Sequence, residues 1–136
     1  MIIIMAKKFN FTLKVYYEDT DVGGVVYYAN YLKFLERARS EAIYSIGYSN
    51  SSILEKFGVI LIVKSCNIEY KKPAKFEERL DIISEFVSFT KTSFFMKQNI
   101  FRNNELISEA DVHLVSVDKN GKPTKLPDEL KEKIEN

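Results

Sequence analysis

The 136 residues are long enough for one domain with a real core and too short for two domains of ordinary size. Lys and Arg number 20 against 19 Asp and Glu, and the absence of any long block of like charge argues against a general nucleic-acid binder. Hydrophobic residues make up 46%, with 10 Phe and 8 Tyr, which is rich for a small domain and favours self-association or an apolar ligand.

The N-terminal sequence MIIIMAKK is apolar before it is basic, and it is shorter than the ~7–15 residue apolar core of a signal peptide. No other stretch approaches the ~18 consecutive apolar residues of a membrane helix, so stable membrane insertion is not expected. The single Cys66 has no partner for an internal disulfide, and we interpret it as a small buried residue in a reducing compartment. We therefore expect a cytoplasmic protein. Met5 is an alternative start, which would make residues 1–4 an extension.

The first two predicted elements are a strand and a helix. Over residues 10–17 apolar side chains fall at every second position, which is typical of a half-buried strand. Over residues 29–46 the spacing changes to that of an amphipathic helix of about five turns, with Gly47 as its stop signal. The apolar face of this helix consists of Tyr31, Phe34, Leu35, Ala38, Ala42 and Ile43.

Strands dominate the rest of the sequence. A connection over residues 49–57 comes first, within which residues 51–55 can form a further helical turn. Predicted strands follow at residues 59–70, 80–88, 93–102 and 106–118, and a tail helix begins at Pro127. The short links between these strands suit antiparallel neighbours. We therefore expect a single α+β domain over residues 1–136, with one long helix against a five-stranded antiparallel sheet.

The segment before the long helix combines two acids with two glycines. Asp19 and Asp21 can be turn and cap residues, and Gly23 and Gly24 can supply backbone with positive φ. A pocket is the alternative interpretation, because tyrosines crowd this polar loop. The free N–H groups of a helix start can hold an oxyanion, and a nearby carboxylate can attack a carbonyl carbon or activate water. Pattern alone leaves both interpretations open.

Other kinds of site lack the residues they need. The two acids and Gly24 are spaced like the start of an EF-hand loop, but Gly23 and Asn30 occupy two of its ligand positions. One Cys and one His cannot form a structural zinc site, and the lone His113 leaves no serine or cysteine triad in the segment. His113 falls on the polar face of the last strand, which indicates a solvent or subunit-contact role.

Four short motifs lie close together in the first third of the sequence. They read YEDTD at residues 17–21, GVVY at 24–27, ANYLKF at 29–34 and ERAR at 36–39. Together they resemble the signature of the 4-hydroxybenzoyl-CoA thioesterase family, and in particular its branch of small acyl-CoA thioesterases associated with the bacterial Tol-Pal system. Looser matches follow at residues 68–70, 73–74, 91–93 and 115–118.

The resemblance implies a hotdog fold, in which the five-stranded antiparallel sheet wraps around the long central helix. It implies hydrolysis of an acyl-CoA or acyl-carrier-protein thioester, without a metal or an organic cofactor. It also implies a homo-oligomer, either a dimer or a homotetramer, with its active sites at subunit interfaces.

The family's functional positions transfer to residues of this sequence. The catalytic acid falls on Asp21, as nucleophile or general base, with Asp19 as structural support. The backbone N–H that polarises the thioester carbonyl falls on Tyr28, where many members of the branch carry His; only Pro would remove this donor. The substrate-binding positions are Gly23, Gly24, Val26, Tyr27 and Tyr31, together with Lys91, Thr92 and Ser93 of the turn that approaches the CoA nucleotide. For these last three residues an ordinary solvated turn is the alternative.

Two alternatives remain beside the hydrolase. A non-catalytic protein that binds acyl thioesters or acyl carrier protein would bind tightly without turnover. Hydroxyacyl dehydration on the same fold uses a histidine with an acid, and the position of His113, late in the chain on a polar strand face, argues against it.

Overall fold

The computed structural model describes residues 7–136, so the choice between Met1 and Met5 as the start lies outside the described residues. Within residues 7–136, five strands and three helices follow one another. They are β1 (Lys8–Lys14), α1 (Asn30–Ser45), α2 (Asn50–Phe57), β2 (Ile60–Tyr70), β3 (Arg79–Phe89), β4 (Ser93–Arg102), β5 (Glu105–Val117) and α3 (Asp128–Glu135).

The strands form one antiparallel sheet in the order β1-β3-β4-β5-β2. Neighbouring residues such as Phe11, Ile82 and Ile100 stand opposite one another across β1, β3 and β4, so their apolar side chains share the inner face. Helix α1 packs on this face with the side predicted from its spacing, including the small Ala38 and Ala42, each 2% exposed. The predicted α+β arrangement of five antiparallel strands around one long helix is confirmed.

The two ends of the sheet carry different loops. One end, which we call the Tyr70 end, contains the last residue of β1, the first residue of β3 and Tyr70, the last residue of β2. The opposite end, which we call the Ser93 end, contains the last residue of β3, the start of β4 at Ser93 and the start of β2. At ~3.3 Å per residue, β4 separates the two ends by about 30 Å.

The first strand is shorter than predicted, because it ends at Lys14 instead of continuing to Tyr17. Val15 is still buried, but Tyr16 and Tyr17 turn outward into a short 3-10 helix. The turn forms because the Asp19 carboxylate accepts the Tyr16 N–H at 2.9 Å, a local bond that competes with the strand.

The connection after α1 is a full helix of eight residues, where the sequence indicated only one turn. The Ser49 side chain accepts the Ser52 N–H at 3.0 Å and caps the start, and Gly58 ends the helix with φ 68°. The tail helix is confirmed as α3, with Leu130 and Ile134 both buried. Within residues 7–136, no helix is both long and apolar enough to span a bilayer.

Cys66 lies on the inner face of β2, which is an edge strand. Its thiol is free, and the residue is partly exposed instead of fully buried as predicted, because no further strand covers β2. The burial that remains raises the pKa of the Cys66 thiol.

Candidate active site

Asp19 ties the loop after β1 to the start of α1. Its side chain is only 8% exposed and is held by the Tyr16 N–H. Its backbone carbonyl accepts two further bonds, from the Tyr27 N–H at 3.0 Å and from Asn30 Nδ2 at 2.8 Å. The carboxylate of Asp19 therefore has a structural role as a hydrogen-bond acceptor, and the loop is fixed at both ends.

Asp21 lies in a tight exposed turn. Its N–H donates to the Val25 carbonyl at 2.9 Å, and its own carbonyl accepts the Gly24 N–H at 3.1 Å. The Oδ1 atom accepts the Gly23 N–H at 2.8 Å, whereas Oδ2 makes no hydrogen bond with residues 7–136. One oxygen orients the carboxylate, and the other is free to act on a ligand.

The geometry of this turn explains why both positions are occupied by glycine. Gly24 has φ +80°, a conformation that side chains rarely adopt. A Cβ at Gly23 would lie 3.3 Å from Asp21 Oδ1, which is close enough to press on the carboxylate. The turn therefore gives Asp21 room and a fixed orientation together.

The start of α1 presents an unused N–H at Tyr28. The preceding carbonyl, of Tyr27, accepts the Asn30 N–H at 2.8 Å, and the carbonyl of Tyr28 accepts the Tyr70 hydroxyl at 3.2 Å. The Tyr28 N–H itself donates to no residue in the described part of the chain. It is an oriented donor at the positive end of the helix dipole.

A cleft of about 260 Å³ opens beside this helix start. It is lined by Val26, Tyr28, Tyr31, Tyr70, Lys71, Lys72 and Pro73. Tyr31 is 3% exposed, and its hydroxyl accepts the Ala74 N–H at 3.0 Å. Burial raises the pKa of Tyr31, so its phenol stays protonated and serves as a wall instead of a base.

Four residues of this cleft were not singled out as site residues from the sequence. Tyr70 is the last residue of β2, and Lys71, Lys72 and Pro73 follow it directly, far from the loop in sequence. Only the sheet topology, which ends β2 beside the start of α1, brings them there. The Tyr70 ring meets the Tyr31 ring edge to face at 5.0 Å, a contact that periodicity cannot predict.

The predicted site residues fall into two groups. Asp21, the glycines, Val26, Tyr27, Tyr28 and Tyr31 belong to one loop and helix start at the Tyr70 end. Lys91, Thr92 and Ser93 form the turn between β3 and β4, at the Ser93 end. Within one protomer the two groups are therefore too far apart to contact the same small chemical group of a ligand.

Within that second group, Ser93 differs from its neighbours. It is buried, and its hydroxyl lies 2.6 Å from the Thr90 hydroxyl, so it shapes the turn. Lys91 is exposed and Thr92 is partly exposed, so these two are accessible to a ligand.

His113 lies on the outer face of the sheet, as its strand pattern predicted. Its ring stacks on Phe95 with centroids 4.0 Å apart. Burial, and to a lesser extent Lys64, lower the pKa of His113. Because α1 packs on the inner face, this imidazole is separated from the Asp21 turn by the sheet.

The segment from Val15 onward matches a protein-family model, the thioesterase-like superfamily, over residues 15–134. The chain belongs to this superfamily. It is 37% identical over 124 residues to the acyl-CoA thioesterase YbgC of Haemophilus influenzae, covering 90% of this chain and 91% of that protein.

Solved structures agree with this membership. A probable thioesterase from Bartonella henselae has a TM-score of 0.85 and 31% identity, covering 89% of this chain and 100% of that chain. A variant of 4-hydroxybenzoyl-CoA thioesterase, complexed with 4-hydroxybenzoyl-CoA, shares the fold at a TM-score of 0.87 with 19% identity over 93% of this chain and 98% of its own. The predicted family, the hotdog fold and the class of thioester hydrolase are confirmed.

Proposed function

We propose that the protein hydrolyses acyl-CoA thioesters, with Asp21 as nucleophile or general base and the Tyr28 N–H as oxyanion donor. One observation carries the assignment of residues. The free Asp21 Oδ2 and the free Tyr28 N–H belong to one loop and helix start, which the Asp19 carbonyl holds together. The name of the Haemophilus influenzae relative supports acyl-CoA as the substrate.

Two routes of hydrolysis are open to this pair of groups. As a nucleophile, Asp21 attacks the thioester carbon, expels the CoA thiolate and forms a mixed anhydride, which water then cleaves to release the acid. As a general base, Asp21 takes a proton from water while the oxygen of that water attacks, and the proton then passes to the departing thiolate. In both routes the Tyr28 N–H stabilises the negative carbonyl oxygen.

The remaining predicted residues are proposed to shape the substrate site. Gly23 and Gly24 let the thioester approach the turn, and Val26, Tyr27 and Tyr31 bound the cleft beside it. Lys91 and Thr92 are proposed to meet the CoA nucleotide, where a cation suits a phosphate. Ser93 contributes through the shape of that turn.

We propose that a second copy of the chain joins the two groups of residues. The edge strand β2 has eleven residues and exposes Ile60, Ile62 and Val63, so its outer edge is open to another strand. Antiparallel pairing of two β2 strands about a two-fold axis places the Ser93 end of one copy beside the Tyr70 end of the other. A homodimer is then the smallest active unit, and a homotetramer is two such dimers.

We further propose that residues 1–136 form a single domain. The cytoplasm is proposed as its compartment, since the one cysteine is a free thiol.

Replacing Tyr28 by Pro tests the oxyanion donor. The substitution removes the N–H, which has no backbone acceptor among residues 7–136, and also the Tyr28 ring, which contacts the rings of Tyr27 and Tyr70. We expect kcat for an acyl-CoA to fall by about 10²–10³ with the melting temperature close to wild type. Tyr28→Ala also loses the ring but keeps the backbone donor, and it is expected to retain kcat within a few-fold. A folded Tyr28→Pro variant with wild-type kcat would exclude this role.

A further inference from the structure

A second cavity, of about 170 Å³, lies between α1 and the inner face of the sheet. Its floor is apolar and includes Leu61, Phe94 and Leu114. It contains no residue of the loop that carries Asp21. None of the residues assigned above to the hydrolytic step therefore lines it.

The rim of this cavity carries one cation, Arg39, which comes from the middle of α1. Its guanidinium donates to Gln98 Oε1 at 3.0 Å. No Asp or Glu oxygen among residues 7–136 lies within 4.0 Å of it, although Glu36 also lines the rim. Burial lowers the pKa of Arg39, and arginine still remains charged in proteins. Arg39 therefore forms no close ion pair, and the Glu36 carboxylate on the same rim acts on it only at longer range.

A buried side chain holds this guanidinium in place. Gln98 is 0% exposed, and its Nε2 donates to the Leu35 carbonyl at 3.0 Å and to the Ser84 hydroxyl at 2.9 Å. These two bonds fix the amide, so its oxygen is directed to Arg39. Only one of the five N–H donors of the guanidinium is used in this bond, which leaves a planar fork suited to a carboxylate.

We propose that the cavity binds a short aliphatic carboxylate. The two oxygens of the carboxylate pair with the Arg39 fork, and the aliphatic body lies on the floor of Leu61, Phe94 and Leu114. Ser40 and Asn50, which also line the cavity, offer further hydrogen-bonding groups at its mouth. Such a carboxylate has two sources. One is a free monocarboxylic acid. The other is the far end of a dicarboxylic acyl thioester bound at the Asp21 turn of a second copy, since Leu61 and Phe94 lie toward the Ser93 end; this source rests on the homodimer proposed above.

Butanoate binding, measured by titration calorimetry, tests the site directly. We expect wild-type protein to bind butanoate and Arg39→Met to bind it at least about tenfold more weakly, because a charge-assisted bidentate bond is lost. Arg39→Lys keeps the charge without the fork and is expected to fall between them. Arg37→Met, the same change at the exposed arginine two residues earlier, is expected to bind as wild type. Equal binding by wild type and a folded Arg39→Met would overturn the proposal, as would no binding by wild type.

A pair of four-carbon substrates distinguishes the two sources. A wild-type preference for succinyl-CoA over butanoyl-CoA that Arg39→Met loses would assign the site to the far carboxylate of an acyl group. Butanoate binding without that preference would assign it to free acids. The test also separates this site from the hydrolytic one, because Asp21→Asn is expected to bind butanoate as wild type does. Failure of hydrolysis and failure of carboxylate binding are thus observed independently.

Discussion

Asp21→Asn is expected to lower kcat/KM for acyl-CoA hydrolysis by about 10²–10⁴ while leaving the melting temperature near wild type. The substitution keeps an oxygen that can accept the Gly23 N–H, so the turn survives. It removes the negative charge and the basicity that both routes of hydrolysis require. The side chain is exposed, which limits the effect on stability.

Asp118 provides a matched control for this experiment. It also lies in an exposed turn, where its Oδ1 accepts the Asn120 N–H at 2.8 Å and the Lys122 N–H at 3.0 Å. Asp118→Asn therefore makes the same chemical change in the same kind of turn, at the opposite end of the sheet from the Asp21 turn. It is expected to leave kcat unchanged. Wild-type kcat/KM in Asp21→Asn would refute the catalytic role of Asp21.

Ile62→Asp is expected to convert the homo-oligomer to monomers and to abolish hydrolysis with it. Ile62 is 45% exposed on the edge strand β2, which the proposed two-fold axis would pair with the same strand of a second copy. The substitution places two like charges in the paired region, where desolvation makes them costly. Sedimentation velocity and thiol release, measured on the same sample, report the two losses.

Val87→Asp is the control for the edge strand. Val87 is 40% exposed and belongs to β3, which has a strand on each side. An aspartate there changes the surface charge equally without facing the open edge of the sheet. We expect this variant to keep the oligomer and the activity. A monomeric Ile62→Asp with full activity would show that one protomer holds a complete site.

Much of the fold follows from periodicity. The α1 spacing of Phe34, Leu35 and Ala38 predicted the face that packs on the sheet, because a stripe at 3.6 residues must be buried somewhere. The end of β1 did not follow, since Tyr17 continued the apolar alternation. There, one local bond from Asp19 turned the chain, and a pattern of hydropathy does not register a single hydrogen bond.

Less of the site than of the fold could be predicted from the sequence. Asp21 and Tyr28 were reached through the family resemblance, because two acids before a helix are equally typical of a turn. The Arg39 cavity was not predicted, although one signal was present. Gln98 is a polar residue at an inward position of β4, between Met96 and Ile100, and such a residue needs buried partners. Which partners it finds depends on contacts between α1 and the sheet.

Hydrolysis of acyl-CoA thioesters by this protein is tested most directly by measuring the release of free CoA thiol. The substrates are a series of acyl-CoA thioesters of different length, including a benzoyl thioester. Incubated with purified wild-type protein, at least one thioester is predicted to release thiol at a rate proportional to enzyme concentration. The rate is predicted to persist in the presence of a metal chelator. Tight binding of acyl-CoA that leaves every thioester intact would contradict hydrolysis and identify the protein as a binder.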